Sequence, residues 1–483
     1  MGTQPGRSGI ISYGVYVPFW RLQREAITVA LGSGSGRGSR SVAGYDEDTT
    51  SMGVEAARCA LGNAPEGCAP STIAFATTAP AYLDKTNANT IHAALAMPST
   101  VGAVDCVGSA RSAAAALMVA EHRGGLAVLS DIRVGLPGGA DESAGGDAAV
   151  ALLMGSGDEV VAEVIGSAEI TSEFLDRWRL PGEDHSRQWE ERFGEHVYLP
   201  LVQQSVGDAL SKAQLSIDEI DHLIVTGLHT RAVNSARRAI GARPEAIVDD
   251  FATVIGNTGT PHFALMLADV LDRAKPQQTI AVVHLADGCS TWLLRTTECV
   301  DRRRPARSVR DLITATRDDL AYTTFLTWRG QLHREPPRRP EPDRPAAPPS
   351  FRSSSWKFGL FGSRDEAGFV SLPPTRVSMA SGAIDQTEMV RMADVKATIA
   401  TFSIDRLAYS LSPPAVSVVI DFDAIGAGGE DSGGGKSGRF QCELTDSDPA
   451  AVRIGDRVEM TFRRLYTQDG IHNYFWKARP IRG

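Results

Sequence analysis

Cysteine is scarce: six in 483 residues, at positions 59, 68, 106, 289, 299 and 442. No two form a C-x-x-C, which excludes a cysteine-built zinc ribbon and a thioredoxin-type site, and a disulfide framework is not expected either. Reduced, buried cysteines in a cytoplasmic protein are the expectation. No run reaches about 18 apolar residues, so a membrane-spanning helix is excluded. The opening MGTQPGRSGIISYGVYVPFW lacks a charged-then-apolar leader pattern and enters a strand early, so export is not expected. A basic surplus is missing too. Lys and Arg number 49 against 58 Asp and Glu, a formal charge of −9. That argues against nucleic-acid binding, though a few local charges could still hold an anion.

What remains is ordinary globular composition, 42% hydrophobic and 22% charged. The length suits two to four domains of roughly 100–200 residues each. One stretch, RGQLHREPPRRPEPDRPAAPPSFRSSS over 329–355, stands apart. Proline fixes φ and removes the backbone donor, so this stretch is expected to join neither helix nor sheet. It divides the chain into 1–328 and 356–483.

The larger part echoes itself. A helix pattern, SMGVEAARCAL, precedes the strand STIAFATT. Later LVQQSVGDALSKAQL precedes HLIVTG. A glycine turn and a small-residue helix follow each strand: VDCVGSARSAAAALMVA first, VIGNTGTPHFALMLADVL second. Each ends in a further strand, GLAVLSDI and TIAVVHLADG. From Ile73 to Ala127 is 54 residues, and from Ile224 to Ala281 is 57. This predicts a duplicated α/β unit whose apolar strands are covered on both faces. The tail differs. VKATIATFSID, AVSVVIDF, GRFQCELTD, DRVEMTFRRLY and HNYFWKAR predict five short strands and a small barrel of the OB kind. GAGGEDSGGGKSG, between the second and third, reads as a flexible loop.

The stretches GIISYGVYVPFWRL, YDEDTTSMGVEAA, TTAPAYLDKTNANTIHAAL, ESAGGDAAVALLMG, RFGEHVYLPLV and VIGNTGTPHFALML, in this order, resemble the hydroxymethylglutaryl-CoA synthase branch of the thiolase superfamily. The resemblance implies a five-layered αβαβα thiolase fold. In the tail, WKFGLFGS, GFVSLPPTRV, IGDRVEMTFRRLY and HNYFWKARP resemble the thiolase-associated OB-fold proteins, which usually carry a zinc ribbon before the barrel. Here the barrel looks fused. Where that family has two C-x-x-C pairs, this chain has Arg364 with Ala367 and Ser378 with Ser381. None is a zinc ligand, so no structural zinc and no other cofactor is expected. Trp356, Phe358, Phe361 and Leu372 are then expected to hold the ribbon by packing.

The synthase branch uses a cysteine at a helix start as acyl carrier, a histidine with an asparagine to polarise a carbonyl, and a glutamate to move a proton. Counting from Asp105 puts Ala110, followed by Arg111, where the resemblance wants the cysteine. Cys106 falls at a strand end and reads as core packing. Ser109 lies nearest the helix start, as a candidate nucleophile or as a simple N-cap. The histidine is His229, in T-G-L-H-T-R, either lining the site or idle in its loop. Asn257, in G-N-T-G, matches the family asparagine. His262 either joins the site or packs beneath the turn. Thr78 stands where the glutamate should be, with Tyr82 nearby as a proton donor or as packing. Arg231, Arg237 and Arg238 could meet the phosphates of CoA or of a carrier protein, or form a solvated helix face.

The implied function is a carbon–carbon condensing enzyme acting on acyl-CoA or acyl-carrier-protein thioesters, with its usual cysteine and glutamate replaced. Two alternatives stay open: an aldol-type lyase that needs no covalent intermediate, and a non-catalytic scaffold for a partner thiolase. The resemblance also implies a homodimer.

Overall fold

The computed structural model describes residues 7–32, 34, 36–425 and 438–482. The glycine-rich insert expected to be a flexible loop falls almost wholly outside them. The chain divides into two units. The first holds the chain up to Ala43, Met52–Asn89 and Pro98–Tyr322; the second holds Gly44–Ser51, Thr90–Met97 and the chain from Thr323 on.

In the first unit nine strands form one sheet. They are β1 (Ser8–Tyr16), β2 (Thr72–Thr77), β3 (Gly102–Val107), β4 (Leu126–Asp131), β5 (Ala148–Ser156), β6 (Ala162–Thr171), β7 (His222–Gly227), β8 (Thr279–Leu285) and β9 (Gly288–Thr296). Their order is β7-β8-β9-β6-β1-β5-β4-β2-β3. The duplication is visible in it. β2 and β4 run parallel and β5 antiparallel to β4; β7 and β8 run parallel and β9 antiparallel to β8. The halves join between β1 and β6, at Gly9↔Glu163 and Ile10↔Ala162.

Strand periodicity explains the layers. Ile224, Ile280 and Val282 face one core, and Leu223, Val225, Ala281 and Val283 face another. Helices α1 (Thr49–Gly62), α2 (Ser112–Arg123), α3 (Glu191–Ala213), α4 (Thr230–Ile240) and α5 (His262–Arg273) complete the unit. Ala113, Ala116 and Ala120 of α2, with Ala264, Ala268 and Leu271 of α5, share one core with strands of both halves. Small side chains let these two helices lie close between the sheet halves. Outside them, α3 and α4 cover the second half, and the Ser12 hydroxyl of β1 donates to the Ala60 carbonyl of α1 at 2.8 Å. The result is the expected αβαβα stack.

The second unit carries α6 (Ala347–Arg352), α7 (Ser354–Gly359), a three-stranded sheet of β10 (Phe361–Asp365), β11 (Val370–Ser371) and β12 (Thr387–Arg391), and a barrel. The barrel strands are β13 (Ala397–Asp405), β14 (Ala415–Phe422), β15 (Arg439–Leu444), β16 (Arg457–Gln468) and β17 (Ile471–Pro480), closed in the order β13-β14-β15-β17-β16. All five expected strands are present. The proline-rich stretch is corrected at its end, where Ala347–Arg352 is helical. Pro348 and Pro349 sit in the first turn, where a missing N–H costs nothing. By its contacts the chain from Thr323 on belongs to the second unit, where Trp328 packs on Tyr45 with ring centroids 6.0 Å apart.

Of the four residues expected to hold the ribbon by packing, Trp356 and Phe358 lie against the barrel, while Phe361 and Leu372 stay against Gly359 and Gly362 of the ribbon. Trp356 packs edge-on against Phe440 and Phe475 of the barrel, and Phe358 lies beside Phe462. At the four positions where the resemblance would put cysteines, Arg364 pairs with Glu388, Ala367 is a methyl group, and Ser378 and Ser381 donate to one carboxylate oxygen of Asp365 at 2.6 and 3.1 Å. The other oxygen accepts the Phe369 N–H at 2.9 Å. These residues do not fit zinc. Asp365 gathers the strands that a metal would gather, and the Ser378 hydrogen bond holds its carboxyl below the usual range. Its stabilisation is therefore present above the unfolded carboxyl value of about 3.9 and lost as pH falls through the lower folded value. Melting scans of the full chain should be unmoved by a chelator and shifted downward by Asp365→Ala. A melting temperature that drops on chelation would show a metal in the ribbon.

Candidate active site

The carboxyl ends of the parallel strands of the first unit open onto a cavity of about 540 Å³. In open α/β sheets this is where ligands bind. The loops after β2 (Thr78, Ala79, Pro80), β3 (Gly108, Ser109, Ala110) and β4 (Ile132, Arg133, Val134) form one wall. The segment from Asp176 to Ser186, with Tyr198, Leu228 and Asp287, forms the other.

One cluster in that second wall can move a proton. Asp176 is 8% exposed. Tyr198, on α3, donates to its Oδ2 at 3.4 Å. His229 Nε2 lies 3.8 Å from its Oδ1. His229 caps α4, its Nδ1 accepting the Ala232 N–H at 3.1 Å. A ring that accepts at Nδ1 carries its proton at Nε2 when neutral, so this cap points an N–H at Asp176. Nε2 is buried and has no hydrogen-bond partner among the described residues. The Tyr198 ring meets the imidazole edge-on at 5.9 Å. Burial pushes the Asp176 carboxyl up, and this outweighs the opposing pull of His229 and Tyr198. Burial, followed by the charge of Asp176, also pushes the Tyr198 phenol up.

The expected site residues fall into three groups. Ser109, Ala110 and Thr78 line the cavity. Ser109 is exposed, and its hydroxyl accepts the Arg111 N–H at 3.3 Å without a basic side chain bonded to it. Thr78 donates through both N–H and hydroxyl to Asp131, at 2.6 and 2.9 Å. Behind the wall, His229 supports Asp176. Asn257 ties its loop to β7, Nδ2 donating to the Gly227 carbonyl at 2.9 Å and Oδ1 accepting the Gly259 N–H at 2.9 Å. His262 is buried beneath the same turn and accepts the Thr258 N–H at 3.2 Å, and burial drops it to about 4. Arg111 clamps the loop before β9 through the Asp287 carbonyl at 2.9 Å and the Thr171 hydroxyl at 2.9 Å. Away from the cavity wall, Tyr82 is bracketed by the Asn87 amide, and Arg231 pairs with Glu195 at the surface. Arg237 pairs with Asp250 at 2.8 Å, and Arg238 donates to Ser235. Of the two glycine-bent helix starts, only the first therefore reaches the cavity with its own side chains.

None of the six cysteines lines the cavity. Cys106 packs against the core, and burial pushes its thiol up; Cys289 is pushed up to about 11. The sequence reading missed Asp176, Arg133, Arg177, Arg179 and Tyr198. Their signal was present in D-R-W-R and in the V-Y-L-P of α3, but nothing local distinguishes those residues from surface charge and helix packing.

Gly194 leaves room for the cluster. A Cβ there would lie 2.5 Å from His229 Nε2 and 2.9 Å from Asp176 Oδ1. Alanine in a helix interior normally stabilises by about 0.5–1 kcal/mol over glycine. Gly194→Ala should instead separate Asp176 from His229 and abolish turnover in a chain whose circular dichroism is unchanged. Retained turnover would remove the pair from the chemistry.

Comparison with known proteins places these features. Two hydroxymethylglutaryl-CoA synthases are 28% identical to this chain. That of Picrophilus torridus matches 302 residues, 59% of this chain and 85% of its own. That of Methanothermobacter thermautotrophicus matches 353 residues, 67% of this chain and 99% of its own. Among solved structures, MvaS in complex with 3-hydroxy-3-methylglutaryl coenzyme A superposes with a TM-score of 0.58 at 18% identity, over 80% of this chain and 100% of its own. The curacin-pathway HMG synthase in complex with acetyl donor-ACP gives 0.57 at 16% identity, over 67% of this chain and 88% of its own. The 3-oxoacyl-(acyl carrier protein) synthase III of Pseudomonas aeruginosa gives 0.53 at 16% identity, over 60% of this chain and 98% of its own. Residues 389–463 match the family described as ChsH2, C-terminal OB-fold domain.

Proposed function

From an N-terminal region homologous to hydroxymethylglutaryl-CoA synthases on a thiolase fold, joined to a ChsH2-type OB-fold, we propose an enzyme of the condensing class. It makes, or in reverse breaks, a carbon–carbon bond on an acyl-CoA or acyl-carrier-protein thioester without a covalent acyl-enzyme. The observation that carries this is Asp176, desolvated between Tyr198 and His229 on the wall of a cavity that no cysteine lines.

In the bond-forming direction the Asp176 carboxylate takes the α-proton to make the enolate, then gives that proton to the carbonyl oxygen as the enolate carbon attacks. In reverse its carboxylate takes the hydroxyl proton, the bond breaks, and the proton returns to the enolate carbon. By microscopic reversibility one proton-moving group serves both directions, so no second base is needed where this chain has Thr78. A reversible aldol-type reaction, the lyase reading included, is what such a site suits, because a route through an acyl-enzyme would need a carrier that no cysteine of the cavity supplies.

A labelled acetyl-CoA incubation followed by acid quench tests the reading. Turnover with no protein-bound label is the expected result; stoichiometric labelling would restore a covalent carrier. If turnover in an assembly with a partner thiolase survives loss of Asp176, the chain acts as a scaffold.

A homodimer joined through β3 is part of the same reading. That edge strand pairs on one side only and exposes Val104 (42%) and Val107 (45%).

A further inference from the structure

We propose that Arg133, Arg177 and Arg179 form an anion-recognising cluster lining this cavity, and that the group it receives is a carboxylate carried on the acyl portion of the thioester. The proposal rests on the thioester reading above and narrows it to carboxyacyl substrates.

Three guanidinium groups line one cavity. Asp141 is their only directly paired carboxylate among the described residues. Its Oδ1 meets Arg133 at 3.1 Å, and its Oδ2 meets Arg177. Asp131, the next acid, is already committed: Oδ1 accepts from Thr77 and Thr78, and Oδ2 from Thr260. Arg179 donates to the Thr78 carbonyl, and among the described residues no carboxylate lies within ion-pair distance of it. The other acids lining the cavity feel these arginines only through charge, Asp184 that of Arg179 and Asp176 that of Arg177, without a direct ion pair. Glu183 is bonded to Arg187 at 2.6 Å, and Asp184 to His185 at 2.8 Å. Asp287 acts by its charge on Asp176 and Tyr198, raising both.

Arg133 is the unusual member. It is 7% exposed, and its Nε is buried with no hydrogen-bond partner among the described residues. Such a donor is costly to leave unmatched. Burial, and after it the charge of Arg177, makes its charged form harder to hold. The fold nevertheless fixes it. The Asp147 carboxylate accepts the Arg133 N–H at 2.9 Å, and the buried Arg40 donates to the Arg133 carbonyl at 2.8 Å. A rigidly held arginine with an unspent donor, beside another whose fork is largely free, suits a planar carboxylate. The phosphates of CoA are bulkier and stay hydrated, which fits a buried arginine less well.

The test compares succinyl-CoA, butyryl-CoA, CoA and free succinate by titration calorimetry on the full chain and on Arg179→Gln. The wild type should prefer succinyl-CoA over butyryl-CoA about tenfold to hundredfold, as a charge-assisted hydrogen-bonded pair gives. Arg179→Gln should bring that ratio close to unity, and Arg179→Lys, which keeps the charge, should retain part of it. A wild type with no preference, or a preference that survives Arg179→Gln, overturns the proposal. If affinity for CoA itself falls in parallel, the arginines read phosphate and the carboxylate assignment is wrong. Succinate binding that Arg179→Gln abolishes, with no thioester bound, would keep the carboxylate site and sink the thioester reading. Failure of every probe on the wild type sinks both.

Discussion

Asp176→Asn should lower turnover by about two to four orders of magnitude while making the chain more stable at neutral pH. The first effect follows from removing a positioned proton donor and acceptor, which typically contributes 10²–10⁴-fold. Asparagine keeps the size and can still accept from Tyr198, so binding should change far less than kcat. The second effect follows from the direction in which the carboxyl is pushed. Burial raises it in the folded chain, beyond what His229 and Tyr198 recover. A carboxyl raised in this way contributes stability that is fully present below the unfolded value of about 3.9, and that stability is lost as pH rises through the folded value. Above the unfolded value the wild type must either bury a charge or keep a proton that the unfolded chain would release, and asparagine bears neither cost. Melting scans between pH 4 and 8 should show the variant gaining on the wild type as pH rises. A variant that is inactive but less stable at pH 7 would point to a structural role for Asp176. A variant with near-normal kcat would remove the proposed chemistry outright.

Periodicity made most of the architecture legible. The repeat of helix, strand, glycine turn, small-residue helix and strand predicted the two sheet halves, because strands buried on both faces must be continuously apolar. The five barrel strands were equally visible as alternating runs between turn residues. Less legible was anything set by contacts distant in sequence. Asp176 matters because α3 brings Tyr198 to it and the cap of α4 brings His229, and no spacing along the chain encodes that meeting. The second unit shows the same limit. YDEDTT was visible as part of a resemblance, but its carboxylates take their meaning from arginine and lysine more than 390 residues away. The proline stretch misled for a local reason. Proline forbids a helix interior but suits its first turn, and the rule for the interior was applied to Pro348 and Pro349.

Arg463→Met should unfold the second unit under conditions that leave the first intact. Arg463 on β16 is fully buried and lies 2.7 Å from Glu47 and 2.7 Å from Asp446. Lys477 on β17, 1% exposed, lies 3.0 Å from Asp46 and 2.6 Å from Glu443. Arg482 shares Asp446 at 2.7 Å, and the Tyr474 hydroxyl donates to Asp48 at 2.6 Å. A buried ionic group of this kind is weak evidence for net stability, because desolvation offsets much of the attraction. Removing one partner is another matter. It takes the guanidinium away from two buried carboxylates, Glu47 and Asp446, and costs about 3–5 kcal/mol. Arg376–Asp385, at 81% and 54% side-chain exposure, is the internal control. Arg376→Ala should leave the melting of the second unit essentially unmoved, and any shift should fade in high salt. Acid should act on the same cluster. Arg463 and Arg482 hold the Asp446 carboxyl below its usual range despite burial that pushes it up. Its contribution is therefore present above about pH 4 and lost as pH falls through the folded value. Two-probe denaturation, with one probe in each unit, should show the second unit of Arg463→Met melting early at neutral pH, as the wild type's does in acid. If Arg463→Met proves as mild as Arg376→Ala, water reaches the cluster, and the Gly44–Ser51 segment is held to the barrel by packing instead.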